Sequence, residues 1–217
     1  SSALHKVVIE AGGEICDLSE VKKVVLSNGK VWGVRLADGT EIKARTVAST
    51  VDPKQNFLEF FEDGELPPDL VQCARRWEWE KVSYFGIHLS LKSAPRYIGT
   101  EGFEDANRAL MTNLGVSDTT EILKNFQDME EGKLPEHPHG HITVASLFDP
   151  IQGFGTFHTG RWECLAPFDQ DWDLIKNDFA SQCMDVWKQY APNLDPLDPM
   201  NTLIYPPSYI EKKFKNM

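Results

Sequence analysis

The sequence predicts an α+β protein built on antiparallel sheets covered by helices, and three observations carry that prediction. Residues 21–47 hold three β-rich runs separated by Asn28-Gly29 and Asp38-Gly39. These dipeptides mark two-residue hairpins, because both turn positions favour residues that tolerate positive φ. Residues 82–91 switch to a period of two, with Phe85, Ile87, Leu89 and Leu91 facing one way and Tyr84, Gly86, His88 and Ser90 the other. Strand and helix patterns then alternate irregularly, unlike the steady alternation of a doubly wound sheet.

Taken in order, Leu4, Val7, Val8 and Ala11 share one helical face, and Gly12 or Gly13 supplies its stop. That helix has hardly begun before it ends, which predicts a piece of a longer protein. Ile15 opens a short strand, the three-stranded meander follows, and Asp52-Pro53 closes it. Residues 53–61, with Phe57, Leu58, Phe60 and Phe61, form a short apolar helix or extended turn. From Asp69 a helix carries Leu70, Val71, Ala74 and Trp77. A short strand falls near Leu110-Met111. Asp118 and Glu121 have the spacing of a capping box for a helix ending near Gly132. Residues 141–148 and 156–165 read as strands joining 82–91 in a second antiparallel sheet. Trp172, Ile175, Phe179, Cys183, Val186, Trp187 and Tyr190 lie along one long helix, closed by Ala191-Pro192.

The composition narrows the classes. With 217 residues, 41% hydrophobic and 25% charged, the chain suits one large or two small globular domains. Its 22 Lys+Arg against 33 Asp+Glu give a formal net charge of −11. That opposes nucleic-acid binding, which draws its affinity from clustered cations. No run reaches the roughly 20 apolar residues of a bilayer span, so the expectation is a soluble, cytoplasmic protein. Cys16, Cys73, Cys164 and Cys183 form no C-x-x-C pair and are expected as free thiols.

The chemical motifs are sparse. No G-x-G-x-x-G occurs: Gly153 and Gly155 are followed by His158 where the third glycine would fall. His137, His139 and His141 alternate as metal ligands can, but Pro138 and Gly140 make that stretch a loop without a matching Cys or carboxylate cluster, and no metal is expected. No Ser or Cys sits in a nucleophile elbow. Catalytic residues stay unassigned. The aromatic load, including Phe57, Phe60, Phe61, Trp77, Trp79 and Trp187, suits a large core or an apolar ligand cavity.

One resemblance joins these pieces. Gly12-Gly13, Val21-x-x-Val24, a Gly-Val hairpin, the Asp-Gly turn and Asp52-Pro53 are followed by Phe148-Asp149-Pro150, Gly155, His158, Pro167 and Tyr190-Ala191-Pro192. The stretch from Tyr205-Pro206-Pro207 to Glu211 completes the order. This order resembles FAD-dependent oxidoreductases of the phytoene-desaturase-like kind and the related pyridine-nucleotide-disulfide-oxidoreductase-domain proteins. The resemblance implies a partial FAD-binding domain over 1–53, a substrate-binding domain over 54–200 and a return segment towards the flavin domain over 201–217.

It also implies hydride transfer at the flavin on an apolar small-molecule substrate, in a desaturase, dehydrogenase or isomerase. Val21 is the cofactor-binding candidate, presenting its main chain to the adenine of FAD. Tyr84 and His88 are the substrate-binding candidates, on the sheet face in front of the flavin. In that family the phosphate-gripping segments flank the part seen here, so this chain alone is expected to be colourless and inactive. Two main-chain bonds from the Val21 strand contribute about 0.5–1.5 kcal/mol each, against association costs on the order of 4–15 kcal/mol. Self-association and peripheral membrane contact are compatible with such a chain. The alternative is a stand-alone, non-enzymatic module that binds an apolar ligand or a protein.

Overall fold

In the computed structural model, which describes residues 2–194 and 201–214, Asn28 and Gly29 take φ of 53° and 71°. Both values are those of a two-residue primed turn. The turn joins β1 (Val21–Ser27) to β2 (Lys30–Leu36) with Ser27 opposite Lys30. The Asp38-Gly39 turn is built differently. Only Gly39 is left-handed, at φ 88°. The Asp38 carboxylate accepts from the Thr40 N–H at 2.9 Å, and the Leu36 N–H donates to the Thr40 carbonyl. The loop is therefore longer than two residues, with its glycine at the one position that demands it. It leads to β3 (Glu41–Lys43), which pairs with β2 and completes the expected meander in the order β1-β2-β3.

The chain divides into two compact units, the first ending at Glu78 and the second beginning at Trp79. In the first, α1 (Ser2–Glu10) stops at Gly12, whose φ is 81°. The Gly13 N–H reaches back to the Val8 carbonyl and that of Gly12 to Ile9, the paired bonds of a Schellman stop. The strand expected at Ile15 does not form. Residues 14–16 have no regular structure, because no neighbouring strand offers them a ladder partner. Residues 55–59 make one π-helical turn, opened by the Asp52 carboxylate accepting from the N–H groups of Lys54 and Gln55. Helix α2 (Pro68–Arg76) has proline in its first turn and two arginines in its last, an order suited to the helix dipole. Trp77, expected on this helix, is extended and lies just past its end.

The second unit holds β4 (Val82–Leu91), β5 (Thr112–Leu114), β6 (Gly140–Thr143), β7 (His158–Pro167) and β8 (Asn201–Tyr205). They form one antiparallel sheet in the order β5-β6-β7-β4-β8. β4 and β7 pair over their full lengths, from Val82 opposite Pro167 to Leu91 opposite His158. Helix α3 (Thr119–Glu130) begins as expected at Asp118, whose carboxylate accepts from the N–H groups of Thr120 and Glu121. The Glu121 carboxylate closes the other half one residue early, on the Ser117 N–H.

One sheet face is sealed by α4 (Trp172–Tyr190). Phe85, Ile87, Trp162, Phe179, Cys183 and Trp187 are all fully buried between them. The Phe85 ring meets Phe179 edge-on at 4.8 Å and Trp172 at 5.3 Å. Close aromatic packing of this kind adds to the area term of burial.

Two expectations of strand extent are corrected. Residues 141–148 are strand only to Thr143, and residues 145–147 turn as a 3-10 helix. There the Ser146 hydroxyl, instead of a strand carbonyl, accepts the Thr159 N–H of β7, so the ladder ends. The strand expected near Leu110-Met111 begins one residue later, at Thr112. In the segment 201–217, β8 pairs with the central strand β4, Gly86 opposite Tyr205 and Ser90 opposite Asn201. Helix α5 (Pro207–Phe214) follows it.

Candidate functional site

The sheet face away from α4 is open and mixes polar with apolar side chains. Register partners in an antiparallel pair project to the same side, so two rows of side chains can be read across the strands. One row runs His141, Glu163, Gly86, Tyr205; the next runs Thr143, Arg161, His88, Leu203. Gly86 is buried between its neighbours, and a Cβ there would meet Tyr205 Cβ at 3.7 Å and His88 Nε2 at 3.9 Å.

The polar groups form a connected set. His141 Nε2 lies 2.8 Å from Glu163 Oε2, while Glu163 Oε1 lies 3.7 Å from Arg161 Nη1. His88 packs its ring on Tyr205 with centroids 4.6 Å apart, and Tyr205 meets Tyr209 of α5 at 5.0 Å. Burial first, and then the nearby Arg161 guanidinium, hold the His88 imidazole below its ordinary pKa; Glu163 opposes them. His88 thus stays neutral near pH 7. A cleft of about 410 Å³ opens beside it, lined by Ser90, Gln152, Thr159, Arg161, Asn201 and Leu203 among others.

Tyr84 lies on the same face as His88, opposite Leu165 at the far end of β4, and is 55% exposed. It does not line the cleft. Val21 belongs to the first unit, half-buried at the start of edge strand β1 and opposite Leu36, with a bulge before Lys23. On the outer side of β1 the Val24 N–H is taken by the Phe60 carbonyl. The fit to an adenine goes as far as this: a planar edge with a donor and an acceptor needs strand-edge main chain, and Val21 is on such a strand.

The three alternate histidines do not converge on an ion. His141 faces Glu163, whereas His139 is hydrogen-bonded through Nδ1 to Asn125, which also donates to the His137 carbonyl. Among the described residues no three His, Cys, Asp or Glu side chains are grouped as ligands. His158 contacts the Ser146 hydroxyl at 3.0 Å.

Arg161 and Glu163 escaped the sequence reading, although a signal was there. Thr159, Arg161 and Glu163 alternate with Gly160, Trp162 and Cys164, which is the period-two mark of a polar face opposite a core.

The chain belongs to the FAD-dependent oxidoreductase family that includes phytoene desaturases, prolycopene isomerases and pyridine nucleotide-disulfide oxidoreductase domain-containing proteins. It is 30% identical over its whole length to a limonene dehydrogenase polypeptide of Castellaniella defragrans, covering 42% of that protein. Over 70% of the chain it is 32% identical to the chloroplastic prolycopene isomerase of Daucus carota, covering 25% of it. The PF1083 protein of Pyrococcus furiosus shares the fold, with a TM-score of 0.54 at 12% identity over 93% of this chain and 40% of that one. No protein-family model matches. The chain spans less than half the length of these relatives.

Proposed function

We propose that this chain supplies the substrate-binding part, and a portion of the flavin-domain sheet, of an FAD-dependent oxidoreductase acting on an apolar small molecule. The observation that carries the proposal is a five-stranded sheet with one face sealed by α4 and the other open, in a chain similar throughout to the limonene dehydrogenase polypeptide. In this reading residues 1–53 belong to the flavin domain and residues 54–200 bind substrate. Residues 201–217 lead back towards the flavin domain after adding β8 to the substrate sheet.

Bound FAD would supply the hydride chemistry, taking a hydride from a substrate carbon or, when reduced, giving one back. The main chain at Val21 would help hold its adenine. The protein's own work lies on the open face. Tyr84, Leu165, Tyr205 and Leu203 offer apolar surface to orient a hydrocarbon skeleton, and neutral His88 fixes the ring of Tyr205 behind it. Closing such a face over a substrate excludes water from the reacting carbon. No helix among the described residues is long and apolar enough to cross a membrane.

The test is spectral. The product of the complete reading frame should bind flavin and show substrate-dependent bleaching of its absorbance under anaerobic conditions with small terpenoids. Replacing Leu203 by Asp should weaken the substrate dependence and leave flavin content unchanged. A protein that takes up no flavin defeats the reading.

A further inference from the structure

We propose that the Arg161 cleft binds a carboxylate, so that the molecule held on the open face is an amphipathic acid: an apolar skeleton ending in an anionic group. This rests on the reading of that face as a substrate wall, and it names the class of substrate.

The first argument is charge. The chain carries 33 acidic against 22 basic residues, yet among the described residues the cleft lining holds no carboxylate and one cationic side chain, Arg161. A neutral lining with a single cation, on an acidic protein, favours an anion. The second is hydrogen-bonding capacity. A guanidinium has five donors in a planar fork matched to two carboxylate oxygens. Among the described residues Arg161 makes one ion pair, at 3.7 Å, and no hydrogen bond. The carboxylate it faces, Glu163, gives its other oxygen to His141 at 2.8 Å, so the fork is largely unspent.

The surroundings complete the match. Ser90, Thr159 and Asn201 bring hydroxyl and amide groups to the cleft, and Leu89 and Leu203 border it. A volume of about 410 Å³ accommodates a carboxylate with several methylenes. A bare hydrocarbon laid here would strip water from Arg161 and return nothing, which is unfavourable for a charge. One cation that already shares its charge with Glu163 suits a monoanion better than a phosphate dianion. Neutral His88 does not compete for the anion's charge, and an anion bound beside it would raise its pKa.

The experiment compares octanoate, octanol and inorganic phosphate on the purified protein by calorimetry, with His88 followed by NMR titration. Octanoate should bind about tenfold or more tighter than octanol, in line with a charge-assisted bidentate pair, and should move the His88 titration upward. Arg161→Met should abolish the tenfold preference and Arg161→Lys should keep part of it. Ser90→Ala, a smaller change that guards against misfolding of the arginine variants, should lower the preference several-fold. Equal affinities for octanoate and octanol, or an unchanged preference in Arg161→Met, overturn the proposal and leave the apolar-substrate reading standing. Phosphate binding that is tighter than octanoate and lost in Arg161→Met overturns it in favour of a phosphate site. Loss of the flavin reading shows instead in the absorbance of the complete protein, which these ligands do not enter.

Discussion

Gly140 and Trp162 are packed so closely that a Cβ on residue 140 would stand 2.7 Å from Trp162 Cε2 and 2.8 Å from the Glu163 carbonyl oxygen. The indole of the central strand pair thus lies over bare backbone of β6, and the start of that strand is positioned by the absence of a side chain. The His141–Glu163 contact, one residue on, inherits its alignment from this packing.

Gly140→Ala should therefore destabilise the second unit by about 1–3 kcal/mol, the usual cost of overpacking a tight site. Urea denaturation followed by tryptophan fluorescence measures it. A second readout is the His141 ring, whose NMR resonances should shift as the contact with Glu163 opens.

Phe179→Ala removes a ring that is 1% exposed and sits edge-on to Phe85. The expected loss is about 3–5 kcal/mol, enough to consume much of the stability of an ordinary domain. Chemical denaturation should show a lower midpoint with the native sheet signature retained in the absence of denaturant.

The two hairpins should respond alike at their glycines. Gly29 and Gly39 have φ of 71° and 88° with open space where a Cβ would go, so alanine at either costs backbone strain alone, about 1–2 kcal/mol. Asp38, which has no positive φ, should tolerate Asn without that strain. Thermal melts of the three variants test the ordering.

Acid should weaken the second unit through two histidines. Burial lowers the pKa of both His88 and His139 in the folded state, with Arg161 adding to the effect at His88. The unfolded chain then binds more protons, so stability is full above the ordinary histidine pKa near 6.5. It is lost as pH falls from there through the folded values. Denaturation midpoints at pH 7.5, 6 and 5 should decline, and His88→Asn with His139→Asn should flatten that decline.

Much of the fold was legible because local chemistry and tertiary structure agree. Asn28-Gly29 dictates its own turn, and the alternation of 82–91 survives as β4 because its core side meets α4. Asp118 announces α3 four residues before its first apolar side chain, Ile122. The misses have a common cause. Whether Ile15 or residues 145–147 are strand depends on a partner's hydrogen bonds, which no local pattern records; Ser146 intercepts the Thr159 N–H, and the strand stops. The site was read from one strand only. Tyr84 and His88 were visible on β4, but Arg161 and Glu163 become their neighbours only through the β4–β7 register, and β8 enters from the far end of the chain.

That last pairing bears on how the chain is made. β4 is the inner strand between β7 and β8, yet both of its partners are synthesised long after it. When residues 82–91 leave the ribosome, neither 158–167 nor 201–205 exists, so two ladder edges and an apolar face stay bare. Such delayed, distant closure slows folding and leaves an edge open to pairing with other chains. The nascent protein should depend on a holdase chaperone until β7 docks, and a ribosome stalled between residues 100 and 150 should present it with its most aggregation-prone cargo.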